Sequence, residues 1–202
     1  MVKAIVMASG LSSRMGKCKL LLRYESKALV EYVLDAVEDS ITERGLKEAV
    51  VVTGNEEIKE LCDKRSLKVV INEEGYKGQS ESIKLGLNAL DEALGYMFIA
   101  GDQPFLTSEI ICSLSKEFLK SPNMILVPIY EGRRGSPVIF PKDYREELLG
   151  LMGDNGGRIV LKNHTNKVKY FKLADGKALI DVDTKEDYSR LLNKEYFKRG
   201  DD

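Results

Sequence analysis

The feature that most constrains the fold is a regular alternation of short β-branched segments with longer segments of helical periodicity. The apolar runs predict buried strands at Val2–Met7, Ala49–Thr53, Lys68–Ile71, Tyr96–Ala100, Ile125–Pro128 and Ser136–Phe140. Helical spacing predicts helices at Leu29–Val37, Ile58–Leu61, Ser82–Leu94 and from the N-cap Thr107 through Leu119. This βαβα order predicts an α/β fold with a mostly parallel sheet and helices on both faces.

Polar and glycine residues directly follow the predicted strands. Gly10, Gly54, Asn72 and Asp102 each stand at the carboxyl end of one of them. Because ligands of such sheets bind at that edge, we expect these residues to lie together. Residues 125–158 break the simple rhythm and are expected to form an excursion on the substrate side of one domain that spans residues 1–202.

Composition excludes several classes of function. The 202 residues carry a formal net charge of -1, so a phosphate backbone of nucleic acid is not an expected partner. The three cysteines show no C-x-x-C spacing, which argues against a zinc site or a disulfide framework and fits a reducing compartment. No apolar run approaches the roughly 18 residues of a membrane span. We therefore expect a cytoplasmic protein without a membrane partner.

The loop after the first strand carries the strongest chemical signal. It combines small residues, which let the backbone approach phosphates, with the cationic side chains of Arg14 and Lys19. It is not a Walker A loop, because five residues separate Gly10 from Gly16 and Cys18 replaces the metal-binding hydroxyl. A Gly/Ser turn with two solvated cations is the alternative interpretation.

Acidic residues stand at two places that could hold a divalent cation. Asp102 follows a predicted strand and precedes Gln103 and a proline, which suits a ligand for a hard cation such as Mg²⁺. Asp181 and Asp183 would point the same way from an extended segment. An Asx-type turn is the alternative at Asp102, and helix capping is the alternative around Asp183.

Three further segments carry short motifs. Residues 78–83 read Gly-Gln-Ser-Glu-Ser-Ile and precede a helix, so their N–H and hydroxyl groups can bind polar ligand edges. Residues 135–140 read Gly-Ser-Pro-Val-Ile-Phe, and residues 153–158 read Gly-Asp-Asn-Gly-Gly-Arg.

Together these motifs resemble those of a known enzyme family. The first loop is similar to the L-x-[AG]-G-x-[SG]-x-R-M-G-x-x-K signature of nucleotidyltransferases with a Rossmann-like, glycosyltransferase-A fold of three layers. With G-D-Q-P, the three segments above and D-V-D-T, it resembles the molybdenum cofactor cytidylyltransferases within the molybdopterin nucleotidyltransferases. The resemblance runs from residue 4 to about residue 190. Met7 and Cys18 depart from the usual pattern without removing a charged group.

The resemblance implies a reaction and a set of site residues. CTP would give CMP to the terminal phosphate of a molybdopterin-type small molecule, with Mg²⁺ as cofactor and a molybdenum hydroxylase as a candidate target. The implied catalytic residues are Arg14, Lys19 and Asp102. The implied nucleotide-binding residues are Ala8, Ser9, Gly10, Leu11, Ser12, Ser13, Arg14, Lys19, Thr53, Asn72, Gly78, Gln79, Ser80, Ser82 and Gly101. The implied acceptor-binding residues are Gln103, Pro137, Asp154, Gly156, Gly157 and Arg158, and the implied metal ligands are Asp102, Asp183 and Asp181.

Several alternatives stay open at this point. The guanine-using relatives carry Gly-Gly in the first loop, whereas the side chain of Ser9 here narrows the base slot and favours a pyrimidine. GTP as donor, a sugar phosphate or methylerythritol phosphate as acceptor, and a non-catalytic molybdenum cofactor carrier are the alternatives. Between the two later carboxylates, Asp183 is favoured over Asp181 as the second metal ligand.

Overall fold

A computed structural model describes residues 1–10 and 18–197. Within them the strands are β1 Val2–Met7, β2 Arg23–Tyr24, β3 Lys27–Ala28, β4 Ala49–Thr53, β5 Lys68–Ile71, β6 Gly95–Ala100, β7 Ile125–Tyr130, β8 Arg133–Arg134, β9 Val138–Pro141 and β10 Val168–Lys172. The helices are α1 Leu29–Thr42, α2 Glu56–Asp63, α3 Gln79–Asn88, α4 Ser108–Leu119, α5 Arg145–Leu149, α6 Gly157–Asn163 and α7 Lys185–Leu192.

One mixed sheet organises the chain. Its strands lie in the order β10-β7-β9-β6-β1-β4-β5, with β8 paired to β7, while β2 and β3 form a separate hairpin. The pairs β1–β4, β1–β6, β4–β5 and β7–β10 are parallel. The predicted α/β class with a mostly parallel sheet is confirmed.

Strand β9 runs antiparallel to both β6 and β7. The reason is the length of the connection: β7 ends at Tyr130 and β9 begins at Val138, which leaves no room for the helical crossover that a parallel pair requires. A tight turn with positive φ at Glu131 and Gly132 reverses the chain instead. The excursion predicted from residue 125 therefore contains the reversal of the sheet.

Alternate residues of the central strand β1 face two separate cores. Ala4 and Val6 pack with apolar side chains of α1, α2 and α4, whereas Ile5 packs with those of α3, α5 and α6. All three side chains are fully buried. This period of two places helices on both faces of the sheet, as the sequence predicts.

Helix α3 is shorter than its sequence pattern suggests. It begins at Gln79 and ends at Asn88, so the predicted continuation to Leu94 is wrong. The carbonyl oxygen of Ala89, which follows the helix, accepts a hydrogen bond from the Lys68 ammonium at 2.5 Å. The side chain of Lys68, on strand β5, thereby gives a hydrogen bond to a carbonyl group at the helix end that has no partner within the helix.

The carboxyl ends of β1, β4, β5 and β6 meet at one edge of the sheet. From β1 the chain proceeds outward through β4 and β5, then returns to β6 on the other side of β1. The loops after β1 and β6 therefore flank a topological switch point, where open α/β sheets bind ligands. In residues 1–10 and 18–197 no helix is long and apolar enough to span a membrane.

The contact between α3 and β1 yields a stability prediction. A Cβ at Gly86 would overlap the side chain of Ile5, so Gly86→Ala should lower the free energy of unfolding by about 1–3 kcal/mol despite alanine's higher helix propensity. Urea unfolding measures the change. Asn88→Ala on the exposed last turn of α3 is the control and should have little effect. Equal stabilities for Gly86→Ala and the parent protein would contradict this packing.

Candidate active site

Lys19 joins two acidic residues at the switch point. Its Nζ donates to Asp102 Oδ2 at 2.5 Å and to Asp183 Oδ1 at 2.6 Å. Burial alone would lower the pKa of Lys19, but Asp102 and Asp183 together outweigh it and raise that pKa above its ordinary value. A charged ammonium group therefore lies between two carboxylates that are 81 positions apart in the sequence.

Packing of the neighbouring residue holds Lys19 at this position. Lys19 begins a short 3-10 helix, Lys19–Leu21, and Leu20 is buried in the core. A Cβ at Gly101 would lie 3.5 Å from Leu20 Cδ1 and 3.1 Å from the Met7 carbonyl oxygen. The absence of a side chain at Gly101 thus lets the Lys19 segment and the end of β1 approach the loop after β6.

Asp102 keeps one oxygen atom without a partner. Asp102 Oδ1 is buried and accepts no hydrogen bond from residues 1–10 or 18–197, while Oδ2 binds Lys19. An unpaired buried carboxylate oxygen is costly in a folded protein unless a ligand completes it. Asp102 therefore has the free coordination capacity that a cation would use.

The segment around Val182 presents two carboxylates. Val182 is fully buried and its amide donates to the Asp102 carbonyl oxygen at 3.1 Å. Asp181 and Asp183, one residue to each side, are exposed. This alternation matches the prediction that the two carboxylates leave the segment on the same side.

Capping of α7 fixes the position of Asp183. The Thr184 hydroxyl accepts from the Asp187 amide at 3.1 Å. The Asp187 Oδ2 atom accepts from the amides of Thr184 at 2.9 Å and Asp183 at 3.3 Å. The helix-capping alternative is therefore correct for Thr184, and it coexists with the contact between Asp183 and Lys19.

Gln103 connects Asp181 to the rest of the site. The Gln103 side chain is fully buried, and its Nε2 donates to the Ser136 carbonyl oxygen at 3.4 Å. It also donates to Asp181, which together with Lys19 favours the ionised carboxylate. Partial desolvation, followed by the charges of Asp102 and Asp183, nevertheless raises the pKa of Asp181 to about 6.

The carboxylates of Asp102 and Asp183 have the chemistry of a divalent-cation site that a nucleotide would complete. In the described parts of the chain, no group of three or more acidic, histidine or cysteine side chains is placed so that it could hold a metal ion. Magnesium does not need such a group, because it binds through one or two carboxylates and fills its shell with water and substrate phosphates. Asp102, with its unpaired Oδ1, and Asp183 are the residues that would hold it.

The loop after β1 is tied to β4. The Ser9 hydroxyl donates to the Val52 carbonyl oxygen at 2.9 Å, and the Thr53 hydroxyl donates to the Ala8 carbonyl oxygen at 3.1 Å. Ala8 and Thr53 are buried, whereas Gly10 is exposed and a Cβ there would meet no atom of residues 1–10 or 18–197 within 4 Å. Leu11, Ser12, Ser13 and Arg14 lie outside the described residues, so the place of Arg14 stays a prediction.

A buried polar pair organises the loop after β5. Asn72 Nδ2 donates to the Ser82 hydroxyl at 2.9 Å, and Asn72 Oδ1 accepts from the Glu74 amide at 3.0 Å. A Cβ at Gly75 would lie 3.1 Å from the Ser9 carbonyl oxygen. Asn72 and Ser82 thus shape the loop that faces Ser9, and their polar groups are already engaged within the protein.

The predicted nucleotide-side and acceptor-side turns touch each other. Gly78 has a φ of 102°, and a Cβ there would lie 2.5 Å from the Gly153 backbone. The Ser80 amide donates to the Gly153 carbonyl oxygen at 3.1 Å. A Cβ at Gly156 would overlap the Gln79 side chain. Close backbone contact therefore joins residues 78–80 to residues 153–156.

The remaining acceptor-side residues flank this junction. Asp154 and Arg158 are exposed, and Gly157 begins α6 with its Cα against Phe140. Pro137 follows a cis peptide bond next to Ser136, whose hydroxyl bonds the end of β6 at Ala100. Ser136 and Pro137 therefore lie next to the carboxyl end of β6, which carries Asp102.

Sequence reasoning missed Gly153 and Ser136 as members of the site. Gly153 is the contact partner of Gly78 and Ser80, and Ser136 binds both Gln103 and Ala100. Both residues lie within segments that the sequence singled out, but neither was named there as a site residue. Their own contacts depend on the reversed strand β9 and on loop packing, which no local pattern encodes.

The contact between Gly78 and Gly153 yields a prediction about ligand binding. Gly78→Ala would combine a positive φ with a collision against backbone atoms that cannot rotate away. We expect a loss of nucleotide affinity of roughly tenfold or more, as the loop moves out of place. Isothermal titration with CTP and with GTP measures it.

Gly132→Ala is the matched control, because Gly132 also has a positive φ but lies in a turn with open space around it, between β7 and β8. Unchanged nucleotide affinity in Gly78→Ala would show that the junction does not shape the binding site.

Comparison with known proteins places this chain in a family. Residues 4–168 match the family described as the MobA-like NTP transferase domain. A probable molybdenum cofactor guanylyltransferase of Bacillus cytotoxicus is 27% identical over 95% of this chain and 96% of its own length. The nicotine blue oxidoreductase of Paenarthrobacter nicotinovorans is also 27% identical, over 95% and 96% of the two chains.

Solved structures share the whole architecture. Rv0371c of Mycobacterium tuberculosis H37Rv superposes with a TM-score of 0.79 at 26% identity, covering 95% of this chain and 97% of that one. A manganese complex of Rv0371C gives a TM-score of 0.77 at 24% identity, with 95% and 98% covered. Because the family match covers most of its length, this chain belongs to the MobA-like NTP transferase domain family and is a nucleotidyltransferase.

Proposed function

We propose that this protein transfers CMP from CTP to the terminal phosphate of a molybdopterin-type acceptor and releases pyrophosphate, with Mg²⁺ as its cation. The observation that carries the proposal is the Lys19 ammonium between Asp102 and Asp183 at the switch point of the sheet. A cation and carboxylates within hydrogen-bond distance, at the edge that binds ligands, are what a metal–triphosphate substrate requires.

The reaction needs positioning more than covalent chemistry from the protein. An oxygen atom of the acceptor phosphate attacks the α-phosphorus of CTP, and the bond from that phosphorus to the oxygen bridging to the β-phosphate breaks. The electron pair leaves with pyrophosphate. Mg²⁺, when bound, neutralises charge on the phosphates. Asp102 and Asp183 would hold it, and Lys19, with Arg14 from the same loop, would neutralise the triphosphate.

Two observations bear on the identity of the donor base, and they point to different nucleotides. Gly75 packs close to Ser9, since a Cβ at Gly75 would lie 3.8 Å from the Ser9 Cβ. With the Ser9 side chain in place of a second glycine, this packing supports a pyrimidine and hence CTP. The relative from Bacillus cytotoxicus is named a guanylyltransferase, which supports GTP equally. The nucleotide assay below decides between the two.

The acceptor is proposed to bind at the junction of residues 78–80 with residues 153–156. Arg158 is exposed in the first turn of α6 and can approach an anionic group. The relatives named for molybdenum cofactor support an acceptor of this type. A molybdenum hydroxylase that receives the product is the proposed downstream target.

A cofactor carrier without catalysis is the alternative of another class. Such a carrier does not need a cation next to a carboxylate with free coordination capacity. The relative named an oxidoreductase does not alter the proposal, because the site geometry matches phosphoryl transfer and the G-x-G-x-x-G fingerprint is absent from this sequence.

The proposal is tested by pyrophosphate release with molybdenum cofactor as acceptor and CTP, GTP or ATP as donor, with Mg²⁺ and with EDTA. We expect turnover with CTP that EDTA abolishes. Lys19→Met should lower kcat/KM by roughly 10²-fold or more, because it removes a charge that faces the reacting phosphates.

Lys27→Met is the control. Lys27 pairs with Asp35 on α1, so this substitution removes the same charge away from the site. Preference for GTP would correct the donor alone. Full activity in Lys19→Met would overturn the proposed function. So would a protein that binds the acceptor but turns over none of the three nucleotides.

A further inference from the structure

We propose that Lys19 occupies the cation position between Asp102 and Asp183 when no nucleotide is bound, so that divalent metal binds well only together with a nucleotide. This inference rests on the proposed function, because it takes these two carboxylates as the metal ligands. It adds an order of binding to that function and assigns Lys19 a role before the reaction begins.

Distances make the two occupants mutually exclusive. Lys19 Nζ lies 2.5 Å from Asp102 Oδ2 and 2.6 Å from Asp183 Oδ1. A magnesium ion binds carboxylate oxygens at about 2.0–2.1 Å, so an ion shared by the same two oxygens would overlap the ammonium group. Lys19 must therefore leave before a metal can bridge Asp102 and Asp183.

The charges of Lys19, Asp102 and Asp183 also favour competition between the ammonium group and a metal ion. Two carboxylates attract a divalent ion strongly, but the ammonium group cancels one of the two negative charges. The Lys19 and Asp102 side chains are only 15% and 14% exposed, so water screens this pair weakly. The competition is thus strongest at Asp102, where the unpaired Oδ1 otherwise invites a cation.

A triphosphate resolves the competition. Its oxygen atoms offer Lys19 an alternative set of anionic acceptors, and the flexible four-carbon stem of lysine lets the ammonium group move between partners. Departure of Lys19 restores the negative charge of the carboxylates just as the phosphates supply further metal ligands. By linkage, each of the two ligands then raises the affinity of the other.

Manganese titration without nucleotide tests the inference, with free Mn²⁺ followed by electron paramagnetic resonance. We expect weak binding to the parent protein and binding at least about tenfold tighter in Lys19→Met, because a competing positive charge has been removed. Lys19→Arg, which keeps the charge, should bind Mn²⁺ as weakly as the parent. Lys27→Met, which removes a distant charge, should also match the parent.

The sign of the change is decisive. If Lys19 only bound phosphate, its removal would not change the affinity for Mn²⁺ in the absence of nucleotide. That result would overturn the inference. Adding Asp102→Asn to Lys19→Met should abolish the gain, and its persistence would also overturn it. Lys19→Gln is a second neutral variant, and circular dichroism verifies that each variant is folded.

The outcomes separate this inference from the proposed function. Unchanged Mn²⁺ affinity in both neutral variants, with CTP turnover intact in the parent protein, would remove the competition and leave the transferase reaction. Tighter Mn²⁺ binding without turnover for any nucleotide would support the competition at this site and remove the reaction.

Discussion

One ion-pair cluster at the switch point organises this protein: the Lys19 ammonium group bonded to the carboxylates of Asp102 and Asp183. It ties together the segment after the first loop, the loop after β6 and the segment before α7. Removal of Lys19 would leave two carboxylates without a compensating cation in a partly buried place, which is costly. The same groups that hold these segments together are those that a triphosphate and a metal ion would separate.

The sheet provides the place for this cluster. Parallel strands β1 and β6 end side by side, and Gly101 lets the adjoining loops approach closely. The segment before the reversed strand β9 then brings Ser136 against Gln103, which also bonds Asp181. Contact between Gly78 and Gly153 joins the two turns expected to face the two substrates. Precise positioning is the main contribution that phosphoryl transfer asks of a protein.

Local sequence patterns predicted most of the fold, because strands in a parallel sheet read as uninterrupted apolar runs. Val2–Met7, Ala49–Thr53 and Lys68–Ile71 were predicted to the residue. The direction of β9 was not predictable in this way, since it follows from the length of a connection and from pairing far along the chain. The early end of α3 was not predicted either. The hydrogen bond from Lys68 to the Ala89 carbonyl oxygen at that end involves a residue outside the helix's own sequence.

The residues of the candidate site could likewise be predicted from local sequence patterns, whereas their contacts could not. Lys19, Asp102 and Asp183 could be selected from residue type and from their position after strands, and the structure brings them together. That Lys19 would lie between the two carboxylates could not be read from spacing, because it depends on the packing of Leu20 and on the capping of α7. Arg14 stays a prediction from the loop pattern.

The most direct test of the central claim is a crystal structure with Mn²⁺ and a non-hydrolysable CTP analogue, with the metal located from its anomalous signal. The account predicts manganese bound to Asp102, the triphosphate at the switch point, and Lys19 moved from the carboxylates to the phosphates. Manganese and triphosphate at another edge of the sheet, with Lys19 still bonded to Asp102 and Asp183, would contradict it.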